Sequence, residues 1–319
     1  MAIYYVSDLL SNLIGAEDVR NIVRKQCETV LIDVPPSTAD RLREPLYYIA
    51  GKCMGYPAVW ITSVALNLNS EQLAERIALQ PGPLYISLTT SIADDFIDKD
   101  SNVNAAHMML LYLFVFSSLR HPHWFNGEML ESYRKNVYPL IGAFVGDHPL
   151  TNALSSTEMA ASAERSGLRI GHFFETIVRG LSYKDPEDVH IALCNIGRSF
   201  GNWCSHLDDV VDIEQDIIGG DSFTYPIFLL SNHSSQLRTA VQRKDLDACL
   251  EAIDSPWFLD AITAYHQRYL ARLGEQAQSA GFDALSGKLS LIAERIAETI
   301  GEIRKENSRM AQQTLCAVQ

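Results

Sequence analysis

The sequence predicts a single all-α domain of ten or more helices over residues 1–319, and three observations predict it. Apolar residues recur at three- and four-residue spacing along most of the chain. Clusters of Pro, Gly, Asp and Ser punctuate that rhythm at short intervals. No alternating apolar–polar run, the signature of a half-buried strand, lasts more than a few residues. In chain order the helical stretches are "DVRNIVRKQCETVL", "SEQLAERIALQ", "MMLLYLFVFSSLR", "DVHIALCNIGRSFGNWCSHLDDVVDI", "LDAITAYHQRYLARLGEQA" and "KLSLIAERIAETIGEIRKEN". Between them stand "VPPST", "QPGP", "HPHW", "GDHPL", "KDPED", "GGDS" and "DSPW". Ser70 opens the second stretch as a cap, and Pro83 stands where a first helical turn tolerates it. The last ten residues, 310–319, "MAQQTLCAVQ", read as a frayed tail.

Composition narrows the function. Hydrophobic residues are 47% of the chain, so a full core is available. Thirty-nine acidic residues against 26 basic ones leave a net charge of −13. That argues against nucleic acid as the main partner, since phosphate neutralisation needs basic patches. A small anionic ligand stays open provided a divalent cation bridges the two negative partners. The six cysteines are scattered with no CxxC pair, which points to buried thiols in a reducing, cytoplasmic setting. The N-terminus has no basic region and no small-residue cleavage site. No apolar run is long enough for a membrane span.

Chemistry concentrates in two places. "SIADDFIDKD" carries Asp94, Asp95 and Asp98, with Asp94 and Asp98 at i and i+4 on one helix face. "HLDDVVDIEQD" carries Asp208, Asp212 and Asp216 at i, i+4 and i+8, with Asp209 beside them. Both read DDxxD. At this Asp content one such motif arises by chance in roughly one chain in ten, and two in on the order of one in a few hundred. The flanks "YISLTTSIA" and "NIGRSFGNWCSHL" are apolar or small on nearly every side, unlike a solvated acidic face. Carboxylates without neighbouring His or Cys ligand pairs suit Mg²⁺, which binds through carboxylates, waters and a substrate phosphate. A di-iron bundle would need two Glu-x-x-His pairs, and only Glu187–His190 has that spacing.

These residues resemble the class I isoprenoid synthase superfamily, and more narrowly the trans-prenyl diphosphate synthases, over roughly residues 40–300. "GRSFGNWCSHLDDVVD" keeps that family's two glycines, Gly197 and Gly201, ahead of the second motif. "GGDSFTYPIFLL" is similar to its Thr-x-Pro segment, with Thr224 and Pro226. "YIAGKCMGYP" is similar to its Gly-Lys-Arg-x-Arg-Pro motif, keeping Gly51, Lys52 and Pro57, and "RIGHFFETIVRG" is similar to its Lys-Thr-Gly stretch, with Arg169 in the lysine's place. The resemblance implies an all-α barrel around a deep apolar pocket. It further implies that the two DDxxD motifs face each other and hold three Mg²⁺ ions on a prenyl diphosphate, and that the protein is a homodimer.

The departures bear on which reaction is implied. The Arg-Arg-Gly that chain-elongating members carry after the first motif is replaced by "KDSNVNAAHMM". The arginines of the Gly-Lys-Arg-x-Arg-Pro motif are missing at Cys53–Gly55, the Phe-Gln before the second motif is Cys204–Ser205, and a family lysine is Ser222. In the resembled family most of these groups grip the second substrate, isopentenyl diphosphate, or the allylic diphosphate. The leading expectation is therefore a terpene synthase-like or non-elongating prenyltransferase that ionises one allylic diphosphate of C15 or longer. A chain-elongating synthase and a non-catalytic subunit of such a synthase are the alternatives.

Several residues admit two roles. Small Thr89 and Thr90, one turn before Asp94, give either pocket depth or helix packing. Trp203, Trp60, Phe173 and Phe174 either line a cation-stabilising pocket or fill a core. Arg165 and Arg169, at i and i+4, either reach diphosphate or form surface ion pairs, with Arg120 and Arg134 as further cations. His206 is either a structural hydrogen-bond partner or a base.

Overall fold

Every regular element among the described residues is helical. The computed structural model describes residues 6–52, 55–97, 104–120, 170–219 and 224–318, with side chains for all but 6–9, 51–52, 90–91, 93–97, 118–120 and 306–318. The helices are α1 (Val6–Ile14), α2 (Glu17–Cys27), α3 (Pro36–Lys52), α4 (Gly55–Ala65), α5 (Ser70–Leu79), α6 (Gly82–Ile97) and α7 (Ala105–Arg120). They continue with α8 (170–182), α9 (Glu187–Val211), α10 (Ile213–Gly219), α11 (Tyr225–His233), α12 (Ser235–Gln242), α13 (Leu246–Ile253), α14 (Pro256–Ser279) and α15 (Asp283–Val318). A 3₁₀ turn, Glu28–Leu31, follows α2.

The punctuation sits close to where the breakers place it. Helix α5 is capped one residue earlier than the sequence suggests. The Asn69 side chain accepts from the Gln72 amide, and the Gln72 side chain accepts from the Asn69 amide, which forms a capping box. Pro83 and Pro226 lie in the first turns of α6 and α11, and Pro256 opens α14. Ser234 and Asp245 cap α12 and α13. Helix α15 runs on through 310–318, the stretch expected as a frayed tail.

The C-terminal pair α14 and α15 forms a long hairpin. Phe258, Ile262, Leu270, Leu273 and Ala277 pack toward Leu285, Leu289, Ile292, Ile296 and Ile300, all buried. Its turn is a Schellman motif: the Gly281 amide donates to the Gln278 carbonyl and the Phe282 amide to Ala277. Gly281 has φ +80°, which explains glycine there. Helix α4, "GYPAVWITSVA", carries no charge and is buried on nearly every side, touching α2, α6, α9 and α15. The buried core is contiguous from Leu10 in α1 to Ile303 in α15.

Helices α8 and α9 form a second, antiparallel hairpin, and three glycines let them approach closely. A Cβ on Gly201 would stand 2.7 Å from the Ile170 carbonyl oxygen and 2.8 Å from the Gly171 Cα. One on Gly197 would stand 2.7 Å from Val178, and one on Gly171 would strike the Asn202 side chain. Across the same seam Glu175 meets Arg198 at 2.6 Å, and the Ser182 hydroxyl meets His190 at 2.9 Å. Gly201→Ala therefore pushes against backbone that cannot rotate away. It should cost about 1–3 kcal/mol, read as a lower denaturant midpoint. A Gly201→Ala protein as stable as the parent would refute the close-contact account.

Candidate active site

The second acidic cluster sits where α9 ends. Glu187 and Asp188 favour the helix start at its positive end. The buried stripe Leu193, Ile196, Phe200, Trp203, Leu207 and Val210 seats the helix on the core for 25 residues. The single continuous helix expected over 188–213 is interrupted at Asp212 (φ −99°, ψ 10°), and α10 begins at the next residue. The hydrogen-bond ladder nevertheless crosses the break. The Asp212 amide donates to the Asp208 carbonyl at 3.0 Å, and Asp216 to Asp212 at 2.9 Å. The i, i+4, i+8 row of Asp208, Asp212 and Asp216 is thus preserved, and these three and Asp209 are all half-buried.

The surroundings are aromatic. His206 Nδ1 lies 3.5 Å from Asp209 Oδ2. The His206 ring is met edge-on by Tyr265 and Tyr269 at 5.5 and 6.1 Å, and Tyr265 stacks on Tyr225 at 3.8 Å. Trp203 is fully buried between Phe200 and His266. Trp60 stacks on Phe200 from α4, Phe174 is buried, and Phe173 is half-buried against the core. Burial pushes the Cys204 thiol well up, and the Asp208 charge adds to it.

The first cluster begins on α6. Asp94 and Asp95 fall in the last turn of α6, but their side chains are outside the described ones, and Asp98 is outside the described residues. The Thr89 hydroxyl donates to the Tyr85 carbonyl at 2.9 Å, so its polar atom is satisfied within the helix. The Thr90 side chain is not among those described, nor is that of Lys52, which ends α3; Arg165, Arg169 and Arg134 lie outside the described residues, as does the Arg120 side chain. The start of α6 is anchored beside the α8–α9 turn, where a Cβ on Gly180 would lie 2.6 Å from Pro83. Just before it, Arg76 grips Asp185 with two nitrogens at 2.5 and 2.9 Å and the Leu181 carbonyl at 2.9 Å.

Among the described residues no group of three His, Cys, Asp or Glu side chains is placed to hold a metal ion. The donor chemistry of the Asp208–Asp216 row is all carboxylate oxygen, which suits a hard ion, Mg²⁺ before zinc or copper. The Glu187–His190 pair is occupied otherwise, because the His190 ring meets Ser182 and lies 3.4 Å from an Arg179 nitrogen.

Three features had no motif to announce them. Glu175, buried between α8 and α9, is bound by Arg179 at 2.9 Å and Arg198 at 2.6 Å, with His172 at 3.6 Å. Burial pushes its carboxyl up, but these three neighbours outweigh that and hold it at about 2. Arg304, 3% exposed, lies 2.7 Å from Glu214 and 3.0 Å from Asp254. His266 is fully buried on the α14 stripe and its nitrogens have no hydrogen-bond partner among the described residues. The legible signal was a polar residue at a core position: His266 follows Ile262 by four, and Arg304 follows Ile300 by four.

Burial, with the nearby His206 adding to it, pushes His266 down to about 3. Between its ordinary value near 6.5 and about 3, the unfolded chain binds a proton that the folded chain does not, so folding stability falls as pH drops through that window. His266→Phe should flatten this acid-side slope in pH-dependent denaturation. An unchanged slope would remove His266 as its source.

No family model and no curated protein sequence matches the chain. Solved structures do. The geranylgeranyl pyrophosphate synthase from Lactobacillus brevis superposes with a TM-score of 0.61 at 13% identity, over 91% of this chain and 98% of that one. The geranylgeranyl pyrophosphate synthetase of the archaeon Geoglobus acetivorans superposes with a TM-score of 0.56 at 17% identity, over 92% and 98%. The helices of this chain are thus arranged in the isoprenoid synthase fold.

Proposed function

We propose that the chain is a Mg²⁺-dependent class I isoprenoid enzyme. It ionises an allylic prenyl diphosphate of C15 or longer and guides the resulting carbocation, in the manner of a terpene synthase or a non-elongating prenyltransferase. The observation that carries this reading is the half-buried row Asp208, Asp212 and Asp216, kept in register across the helix break. In support, α6 and α9 both set out from the α8–α9 turn. At 1.5 Å per residue Asp94 stands about 16 Å beyond Pro83, and Asp208 about 22 Å beyond the level of Gly180. Asp94, Asp95 and Asp98 would then meet Asp208, Asp209, Asp212 and Asp216 at one end of the helices, and together they would hold three Mg²⁺ ions.

When bound, the ions supply positive charge to the departing diphosphate. The chain's own residues do the rest. Arg165, Arg169 and Lys52 bind phosphate oxygens. Thr89, Thr90, Phe173 and Trp203 shape the apolar side and exclude water, so that the allylic carbon, having lost the C–O electron pair to diphosphate, is not quenched at once. The cation then loses a proton or takes up a nucleophile.

Chain elongation with isopentenyl diphosphate is the second reading, favoured by the fact that both similar solved structures are geranylgeranyl pyrophosphate synthases. Against it stands the missing basic set, of which Lys52 alone remains in its motif, and a lone ammonium grips a diphosphate weakly. Incubation with Mg²⁺ and farnesyl or geranylgeranyl diphosphate, with and without isopentenyl diphosphate, tests both. Diphosphate release with a hydrocarbon or alcohol product from one substrate is expected, and Asp208→Ala should slow it at least about 10³-fold. A longer prenyl diphosphate would establish elongation, and no turnover would leave a non-catalytic subunit.

The proposal extends to a homodimer in a reducing, cytoplasmic setting. Met109, Tyr112 and Phe116 recur along α7 as an exposed apolar stripe, Phe116 being 60% exposed. Cys27, Cys194, Cys204 and Cys249 are buried free thiols, and no described helix is long and apolar enough to cross a membrane. Light scattering should give twice the chain mass, and Tyr112→Glu with Phe116→Glu should halve it. A wild-type mass of one chain would overturn the dimer.

A further inference from the structure

We propose that Arg304 is a positioning residue for the second acidic cluster, a role that deepens the functional reading above and rests on it. Five carboxylates, Asp208, Asp209, Asp212, Glu214 and Asp216, fall within nine residues, and the helix carrying them breaks in their midst. Mutual repulsion tends to unwind such a junction. Something must fix the rotation of α10 about its own axis.

Ile213 and Ile217 are buried and seat one face of α10 on the core. Glu214 stands about 200° round the helix from Asp212 and from Asp216, on the opposite side. There it meets Arg304 of α15, whose Nη1 lies 2.7 Å from Glu214 Oε1, an ion pair without hydrogen-bond alignment. The same guanidinium donates from Nε and Nη2 to Asp254 Oδ1 at 3.2 and 3.0 Å. At the far end of α10, Lys244 donates to the Gly219 carbonyl. Arg304 thus ties the back of α10 to the C-terminal helix and to the α13–α14 junction. The Asp212–Asp216 face is turned the other way as a consequence. Arg304 touches none of the motif aspartates in this arrangement; it acts through Glu214.

The test compares Arg304→Ala, Arg304→Lys and Glu214→Gln with the wild-type full chain in two measurements. Amide hydrogen exchange without ligand reads the positioning itself. Exchange across 212–219 should quicken about tenfold or more in Arg304→Ala, with amides of 262–277 unchanged, because local opening is then easier than global unfolding. Calorimetric titration of inorganic diphosphate with Mg²⁺ reads the consequence. Affinity should fall about 10–100-fold in Arg304→Ala, as for other groups that orient ligands indirectly. Arg304→Lys should restore part of it, and Glu214→Gln should shift both readouts in the same direction, even where Arg304→Ala does not fold. Unchanged exchange over 212–219, or quickened exchange with wild-type affinity, would overturn the proposal and leave a plain structural ion pair. Absence of Mg²⁺-dependent diphosphate binding in the wild type would instead overturn the functional reading, and the exchange measurement would still decide whether Arg304 orders α10.

Discussion

The backbone-to-backbone contact between α8 and α9 is the constraint on which the rest leans. Gly201 rests against the Ile170 carbonyl and the Gly171 Cα, and a single methyl group there has nowhere to go. Because the helices touch at that level, Glu175 falls between Arg179 and Arg198, and Ser182 reaches His190. The same contact fixes the rotation of α9, so Phe200 and Trp203 face the core while Asp208 and Asp209 emerge half-buried two turns later. Here a glycine seam, and no special feature of the acids themselves, sets where they stand.

The second constraint is charge. The chain carries 13 more acidic than basic residues, and burying carboxylates without a partner is expensive. Among the buried and half-buried acids, Glu175 takes two arginines, Asp185 takes Arg76, and Glu214 shares Arg304 with the exposed Asp254. At the Asp208–Asp216 cluster, His206 Nδ1 lies 3.5 Å from Asp209 Oδ2, and its ring is met edge-on by Tyr265 and Tyr269.

How much of this was legible in the sequence depends on the range of the interaction. The helical class follows from local periodicity and the α6 start from Pro83 at a breaker, whereas α5 is capped by Asn69 and not by Ser70. Gly197 and Gly201 stood out through the family resemblance, though only the packing shows that Phe174, Val178 and residues 170–171 are what they admit. The break at Asp212 was invisible because the 3.6-residue period continues through it and the hydrogen-bond ladder does too. Arg304 stands at a core position four after Ile300, but its partners lie 90 and 50 positions upstream, so the local pattern does not say what it binds. His206 against Tyr265 and Tyr269, with Tyr225 stacked on Tyr265, brings three helices together, a relation no linear motif encodes.

The Schellman turn at Gly281 carries a consequence for the order in which the molecule is built. Helices α14 and α15 meet across only a few intervening residues, so their long apolar seam closes at small loop entropy. Contacts such as Arg76 with Asp185, about a hundred positions apart, must wait for a much larger ring of chain to close. The C-terminal hairpin is thus the natural early nucleus, and it already contains His266, Tyr265 and Arg304. The acidic helix end arrives later, onto a surface whose aromatic and cationic partners have been laid down before it.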